Sequence, residues 1–254
     1  MMNHLHIQFD PELNLFLSKH QRDQRFEHRF KGNPSIKDLI ESLGIPHTEI
    51  AAMRVNDDFV DFTYQVQSED EITVRSFESL RLSNLENCLL ANDHSSPRFI
   101  LDVHLGKLTS YLRLLGFDCL YDSSNTDENL AQVASQEKRI LLSRDRGLLK
   151  RKIVHYGYLV RSLNPREQIS EVLERYQFYN HIAPFTRCPR CNGRLVETTK
   201  EAVANRLKPG TAQFYDSFSI CENCNQVYWK GSYFEKLHAL LEQFQSFPQN
   251  SEID

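Results

Sequence analysis

The sequence predicts an α/β protein with a parallel-sheet core, a small β-grasp module before it and a metal-binding ribbon after it. Three observations carry that expectation. Two apolar runs each stop at an aspartate, one over Phe99, Ile100, Leu101 and Asp102, the other over Ile140, Leu141, Leu142, Ser143, Arg144 and Asp145, with helical patterns between and after them. The N-terminal stretch orders two strands, one helix and several further strands. Four of the six cysteines fall in two Cys-x-x-Cys pairs.

At the N-terminus Leu5, Ile7 and Phe9 alternate, and Phe26 and Phe30 follow, as half-buried strands do. Ser35 then stands as an N-cap with Asp38 three residues on. Ile36, Leu39, Ile40 and Leu43 make an apolar stripe that ends at Gly44. Further strands are expected at 53–55, 59–64 and 72–74, around the Asn56-Asp57-Asp58 turn. This order reads as a β-grasp module over residues 1–78. No Gly-Gly tail follows it, so a carrier or conjugated-modifier role lacks a chemical handle and a docking or stabilising module is expected. Residues 79–97, rich in Asn, Ser and Asp, read as a linker.

In the core, Leu105, Leu108, Leu112 and Leu115 recur at helical intervals, and Gly116 closes the helix as a left-handed C-cap. A second helix starts at Asn125 or Thr126, with Asn125 and Glu128 spaced as a capping box. A late strand is expected at 158–160, and Pro165 opens a helix carrying Ile169, Val172, Leu173 and Tyr176. Parallel sheets of this kind place their chemistry beyond the carboxyl ends of the strands. Asp102 and Asp145 fall there, Asp122 is expected to end the strand between them, and Asp127 and Glu128 begin the next helix. Carboxylates brought together raise one another's pKa unless a cation neutralises them. Oxygen-only ligands fit Mg²⁺ or Mn²⁺, which points to metal-assisted hydrolysis of a phosphodiester. Lys107 and Arg144 are placed to hold a substrate phosphate, and Arg113 is a further candidate. Taken singly, each residue has a plainer role: Asp102 or Asp145 as a helix cap, Asp127 and Glu128 as partners of a helix dipole, Arg113 as a solvated charge. As a set on strand ends they point to catalysis.

Cys188-Pro189-Arg190-Cys191 and Cys221-Glu222-Asn223-Cys224 read as two knuckles whose thiolates can reach one zinc ion at about 2.3 Å. Four thiolates complete a tetrahedron, so this zinc is structural, and Gly193 is expected to supply a left-handed backbone. Arg187, Arg190, Arg194, Tyr228, Trp229 and Lys230 are candidates to pair with or stack on RNA; packing of the ribbon against its neighbour explains them equally and is the favoured reading for Trp229. Cys88 and Cys119 read as ordinary thiols, Cys119 in a strand. The 254-residue chain has a formal net charge of −4, yet Lys138, Arg139, Arg144, Arg146, Lys150, Arg151, Lys152, His155 and Arg161 cluster in sequence. A slightly acidic protein with one basic face can still bind nucleic acid. No run approaches the ~18 apolar residues of a membrane span and no signal-type start is present, so a cytoplasmic protein without membrane contact is expected.

These residues together resemble a known family. Asp102 to Leu108, Leu112 to Asp118, Asp127-Glu128 and Leu141 to Asp145 are similar to the PIN-like ribonuclease family named after the C-terminal domain of the Mut-seven exonuclease. Ser35 to Glu41 with Gly44 to Glu49 looks like the signature of the ubiquitin-like domain that many bacterial members carry at the N-terminus. The resemblance implies a PIN-like core over 98–181, a zinc ribbon over 182–245 and a tail over 246–254. It implies Asp102, Asp127 and Asp145 as the acidic metal site of a ribonuclease, with endonucleolytic cleavage of structured RNA as the expectation. Dimerisation, common among PIN-like folds, is expected too, as is a protein partner recruited by the ubiquitin-like domain if that domain does not instead dock on the core. Departures are few: Lys107 stands where arginine is usual, His104 where methionine is common, Ser143 where threonine is common, and Tyr233 where a histidine is frequent. Lys107 keeps the charge and loses the bidentate fork. Two other functions compete with catalysis. A non-catalytic RNA-binding or adaptor protein would use the core as a platform; a receiver-like phosphoacceptor shares strand-end aspartates but lacks paired acidic residues near the first core strand.

Overall fold

The computed structural model of the chain describes residues 2–79 and 96–231. Most of the expected linker, Cys88, Tyr233 and the tail lie outside the described residues. Two compact units divide the chain: Met1–Gly106 with Tyr121–Arg161, and Lys107–Leu120 with Ser162–Asp254.

The first unit begins with a five-stranded sheet of β1 (Asn3–Phe9), β2 (Phe26–Phe30), β3 (Ile50–Val55), β4 (Asp58–Val60) and β5 (Glu71–Ser76), ordered β2-β1-β5-β3-β4. The β1–β5 pair is parallel and the others antiparallel. Helix α1 (Ile36–Ser42) starts where Ser35 Oγ accepts the amide of Asp38 at 3.1 Å. It stops at Gly44, whose φ of +106° needs a glycine and where a Cβ would meet the carbonyl oxygen of Phe16 at 3.0 Å. Leu5, Ile7, Ile36, Ile40, Ile50, Met53 and Val74 are buried, which accounts for the alternation in the sequence. Asn56 and Asp57 both have positive φ, the hairpin geometry their side chains tolerate. One expected strand is much shorter than the reading of 59–64. Asp61 Oδ1 accepts the amide of Thr63 at 2.7 Å and its hydroxyl at 2.5 Å, and this local turn takes the chain out of the sheet after Val60.

The central segment supplies β6 (Arg98–Leu101), β7 (Asp118–Leu120), β8 (Ile140–Ser143) and β9 (Gly157–Leu159). Its helices are α2 (Gly106–Leu114), α3 (Asp127–Gln136), α4 (Arg146–Leu149) and α5 (Pro165–Tyr176). Within the first unit β6, β8 and β9 run parallel, with Leu101 opposite Leu142 and Leu142 opposite Tyr158. Phe99, Leu101, Leu141 and Leu142 are fully buried, as expected for strands covered on both faces. Burial of each contributes roughly 1.5–3 kcal/mol. Helix α3 is capped by Thr126, whose Oγ1 accepts the amide of Asn129 at 3.2 Å, so the expected capping box of Asn125 with Glu128 does not form.

In the second unit, Gly116 has φ +97° and sits so close to Ala183 that a Cβ would lie 2.3 Å from its carbonyl oxygen. Asn164 caps α5 with Pro165 at its first position, and Gln177 ends it in the left-handed region. Beyond it, β10 (Leu195–Thr198), β11 (Phe218–Cys221) and β12 (Val227–Trp229) form an antiparallel sheet in that order. The hairpin insertion between β10 and β11 holds α6 (Lys200–Val203) and α7 (Pro209–Phe214). Its core is small, made by Val203, Phe218 and Val227.

Candidate functional site

The four cysteines converge. Their sulfurs all lie within 4.8 Å of one another, with Cys191 and Cys221 at 3.4 Å and Cys188 and Cys224 at 3.7 Å. Sulfurs bound at about 2.3 Å to one tetrahedral ion stand roughly 3.8 Å apart, so the donor set fits a four-thiolate metal and is compatible with a zinc ribbon. Two matching turns build it. Asn192 N–H donates to the Cys188 carbonyl and Asn225 N–H to the Cys221 carbonyl, each at 2.9 Å. The left-handed residues of these turns are Asn192, φ +68°, and Asn225, φ +58°, rather than Gly193. Gly193 is needed for space instead: a Cβ there would come within 2.9 Å of Cys221 Sγ.

Electrostatics divides the thiols. Burial raises Cys188, but hydrogen bonds from the Tyr228 hydroxyl and from the amides of Cys191 and Arg190 outweigh it and bring this thiol down to about 7. Burial pushes Cys191 up to about 12 and raises Cys224 as well. The Cys188 thiolate thus forms near neutrality, whereas burial keeps Cys191 and Cys224 protonated until a cation offsets the cost of their charge.

Arg113, expected at a substrate or in solvent, is 5 % exposed. Its Nε and Nη2 donate to the Cys119 carbonyl at 3.0 and 2.8 Å, and its Nη1 to the carbonyls of Arg190 at 3.0 Å and Pro189 at 3.3 Å. Asn192 adds a second brace, accepting from the Cys119 amide at 3.0 Å and donating to Asp118 at 2.8 Å. The first cysteine knuckle is therefore fastened to β7. A single arginine on a helix face gave no sequence signal for this.

The carboxylates are arranged differently. Asp102 and Asp145 leave the carboxyl ends of the adjacent parallel strands β6 and β8. Asp102 is buried, with Oδ1 accepting from His104 N–H at 2.8 Å and Oδ2 from Arg144 N–H at 2.8 Å and from the Ser143 hydroxyl. The same Ser143 oxygen accepts the Asp145 amide at 2.9 Å, so one buried hydroxyl ties the two aspartates together. Asp145 caps α4 through Oδ1 and Gly147 N–H at 2.6 Å, and its Oδ2 accepts no hydrogen bond among the described residues. Asp127 and Glu128 occupy the first turn of α3, exposed and without hydrogen bonds among the described residues. Asp122 lies past the end of β7, held below the usual carboxylate range by the amide and hydroxyl of Ser124. Lys107 and Arg144 are exposed. Among the described residues, the cysteines alone bring three or more His, Cys, Asp or Glu ligand atoms within 4.8 Å of one another; the carboxylates form no such group of three. Their oxygens are hard donors with lone pairs to spare, a set that fits a hard divalent cation.

Sequence reasoning missed His47 and Glu49. Both are buried, at 4 % and 3 % exposure, in the 3-10 turn His47–Glu49 that packs against β9 and the chain leading to it. A charged residue before a strand reads as surface, and only the three-dimensional packing shows otherwise.

Among the described residues no helix is long and apolar enough to cross a membrane. Compared with known families, residues 97–241 match the model described as the Mut7-C RNAse domain, and residues 2–81 match the Mut7-C ubiquitin model. No curated protein matches the chain.

Proposed function

The chain belongs to the Mut7-C RNAse domain family, and from that premise we propose that it is a metal-dependent ribonuclease. In this reading Asp102, Asp127 and Asp145 hold Mg²⁺ or Mn²⁺, and Cys188, Cys191, Cys221 and Cys224 hold a structural zinc ion. The observation that carries it is the pair of aspartates on neighbouring parallel strand ends, joined through the buried Ser143 hydroxyl. When bound, the divalent cation lowers the pKa of a water and screens charge that develops on a phosphodiester. The chain's own groups do the rest. Ser143 and the Arg144 amide fix the Asp102 carboxylate, leaving it few rotamers to lose on ligation. Asp145 offers its free Oδ2, and Asp127 and Glu128 offer exposed oxygens at a helix start. The Arg144 guanidinium and Lys107 ammonium bind substrate phosphate, Lys107 as a point charge. Arg113 takes no part in substrate binding, since its guanidinium braces the cysteine knuckle.

The separation of the carboxylates favours a second reading, a non-catalytic RNA-binding protein on the same platform. Cleavage of total small RNA in Mn²⁺, compared between the parent and Asp145→Asn with fold and bound zinc verified in both, separates the two. Cleavage by the parent that falls by at least 100-fold (about 10²) in the variant supports the metal-ion mechanism. Equal RNA binding by both proteins with cleavage by neither supports the platform reading.

A further inference from the structure

Several basic residues that follow β8 are engaged by the N-terminal domain, although Arg146 and Arg161 keep part of their side chains exposed. Arg146 donates from Nη2 to the Leu15 carbonyl at 3.2 Å, and its guanidinium lies 4.9 Å over the ring of Phe16. Lys150 Nζ donates to the Glu41 carbonyl at 2.7 Å. Glu49 receives the remaining two donors: Leu159 N–H on Oε1 at 2.8 Å and Arg161 Nη2 on Oε2 at 3.2 Å. In each case the ubiquitin-like domain supplies the acceptor and the core supplies the donor. His47 adds contacts at both ring nitrogens, 2.6 Å to the Val154 carbonyl and 2.6 Å to Glu41 Oε1. These contacts are polar and ionic, the character of interfaces that open and close.

A carboxylate held by one backbone N–H and one guanidinium has the recognition pattern of a phosphodiester, whose two non-bridging oxygens take the same kinds of donor. Resting on the ribonuclease reading above, we infer that Arg146, Lys150, Arg161 and the Leu159 amide form a binding surface for the RNA phosphodiester backbone, which the docked ubiquitin-like domain covers with Glu49 in the place of a phosphate. Docking and RNA binding then exclude each other at this surface. By linkage, a change that releases the domain tightens RNA binding, and RNA releases the domain. Each phosphate newly paired on a single strand steepens the dependence of log affinity on log salt by about 0.7, so three freed cations steepen it by about 2.

The test uses the full chain, Glu49→Gln, and a fluorescein-labelled mixed-sequence RNA oligonucleotide without added divalent cation. Anisotropy titrations over a series of KCl concentrations give affinity and salt slope. Hydrogen exchange over 41–49 and 146–161, with and without RNA, reports docking in the parent. The expected result is tighter binding and a steeper slope for the variant, with RNA accelerating exchange at 41–49 and slowing it at 146–161 in the parent. Unchanged binding by a variant whose 41–49 segment already exchanges fast overturns the inference, as does RNA that protects 41–49 in the parent. If the variant does not fold or does not undock, the exchange response of the parent decides alone. RNA bound by neither protein removes this inference, and the ribonuclease reading falls with it only if total small RNA in Mn²⁺ is also left uncut; RNA cut by the parent in Mn²⁺ with no response at 41–49 removes this inference only.

Discussion

The cysteine cluster and the strand-end carboxylates are both donor sets shaped by sharp turns, yet one is gathered and the other is apart. Four sulfurs lie within 4.8 Å of one another, while Asp102, Asp127 and Asp145 do not close into such a group. The difference follows from charge. Burial holds Cys191 protonated up to about 12 and raises Cys224 too, so these sulfurs pack beside the Cys188 thiolate with little charge between them. Like-charged carboxylates repel one another, and these three stand in separate settings: Asp102 takes three donors, Asp145 caps a helix, and Asp127 stays exposed. A soft-ligand site can be assembled by the fold, whereas a hard-ligand site of like charges needs its cation to close.

Four substitutions sharpen that contrast. The largest effect is expected from Cys221→Ser, which removes one ligand from the three-stranded ribbon, where Val203, Phe218 and Val227 form a small buried cluster among the described residues. Structural zinc contributes on the order of 10 kcal/mol to folding of such segments. Loss of bound zinc, measured with a chromogenic indicator, should therefore accompany loss of the cooperative melt of this unit. A melt equal to the parent's would show that the cysteines are not structural. Next, Asp102→Asn turns an amide N–H against the Arg144 or His104 amide, because both carboxylate oxygens accept backbone N–H groups. This should cost about 1–3 kcal/mol in urea denaturation, while Asp127→Asn costs nothing resolvable there. Equal costs for the two would mean that burial does not distinguish these carboxylates.

The smallest effect belongs to Asp122. Hydrogen bonds from Ser124 lower its folded pKa, so its turn contributes fully above the unfolded value of about 3.9 and loses that contribution as pH falls through the lower folded value. The group is fully exposed, so Asp122→Asn should lower the neutral-pH melt only slightly and flatten the acid limb of the stability curve. An acid limb identical to the parent's would show that the Ser124 hydrogen bonds do not favour the charged form.

Much of this was legible in the sequence. The helix at 36–42 with Ser35 and Gly44, the buried runs 99–101 and 140–142, the left-handed Gly116 and the two knuckles all follow from periodicities and turn chemistry acting within a few residues. Besides the Asn125–Glu128 capping box, displaced by the Thr126 cap, two local readings failed for equally local reasons. The left-handed positions of the knuckles went to Asn192 and Asn225, since asparagine tolerates that region and Gly193 was required for clearance. The strand expected at 59–64 stopped early because Asp61 captured Thr63.

Spacing and residue type thus determined the elements, the knuckles and the aspartates at strand ends, all of which depend on neighbours a few residues away. Tertiary structure alone decided the partners of Arg113, His47 and Glu49. Their hydrogen bonds reach across 77, 107 and 110 residues. A buried charge must find its complement wherever packing brings one, and no periodicity in the chain encodes which carbonyl, amide or guanidinium that is.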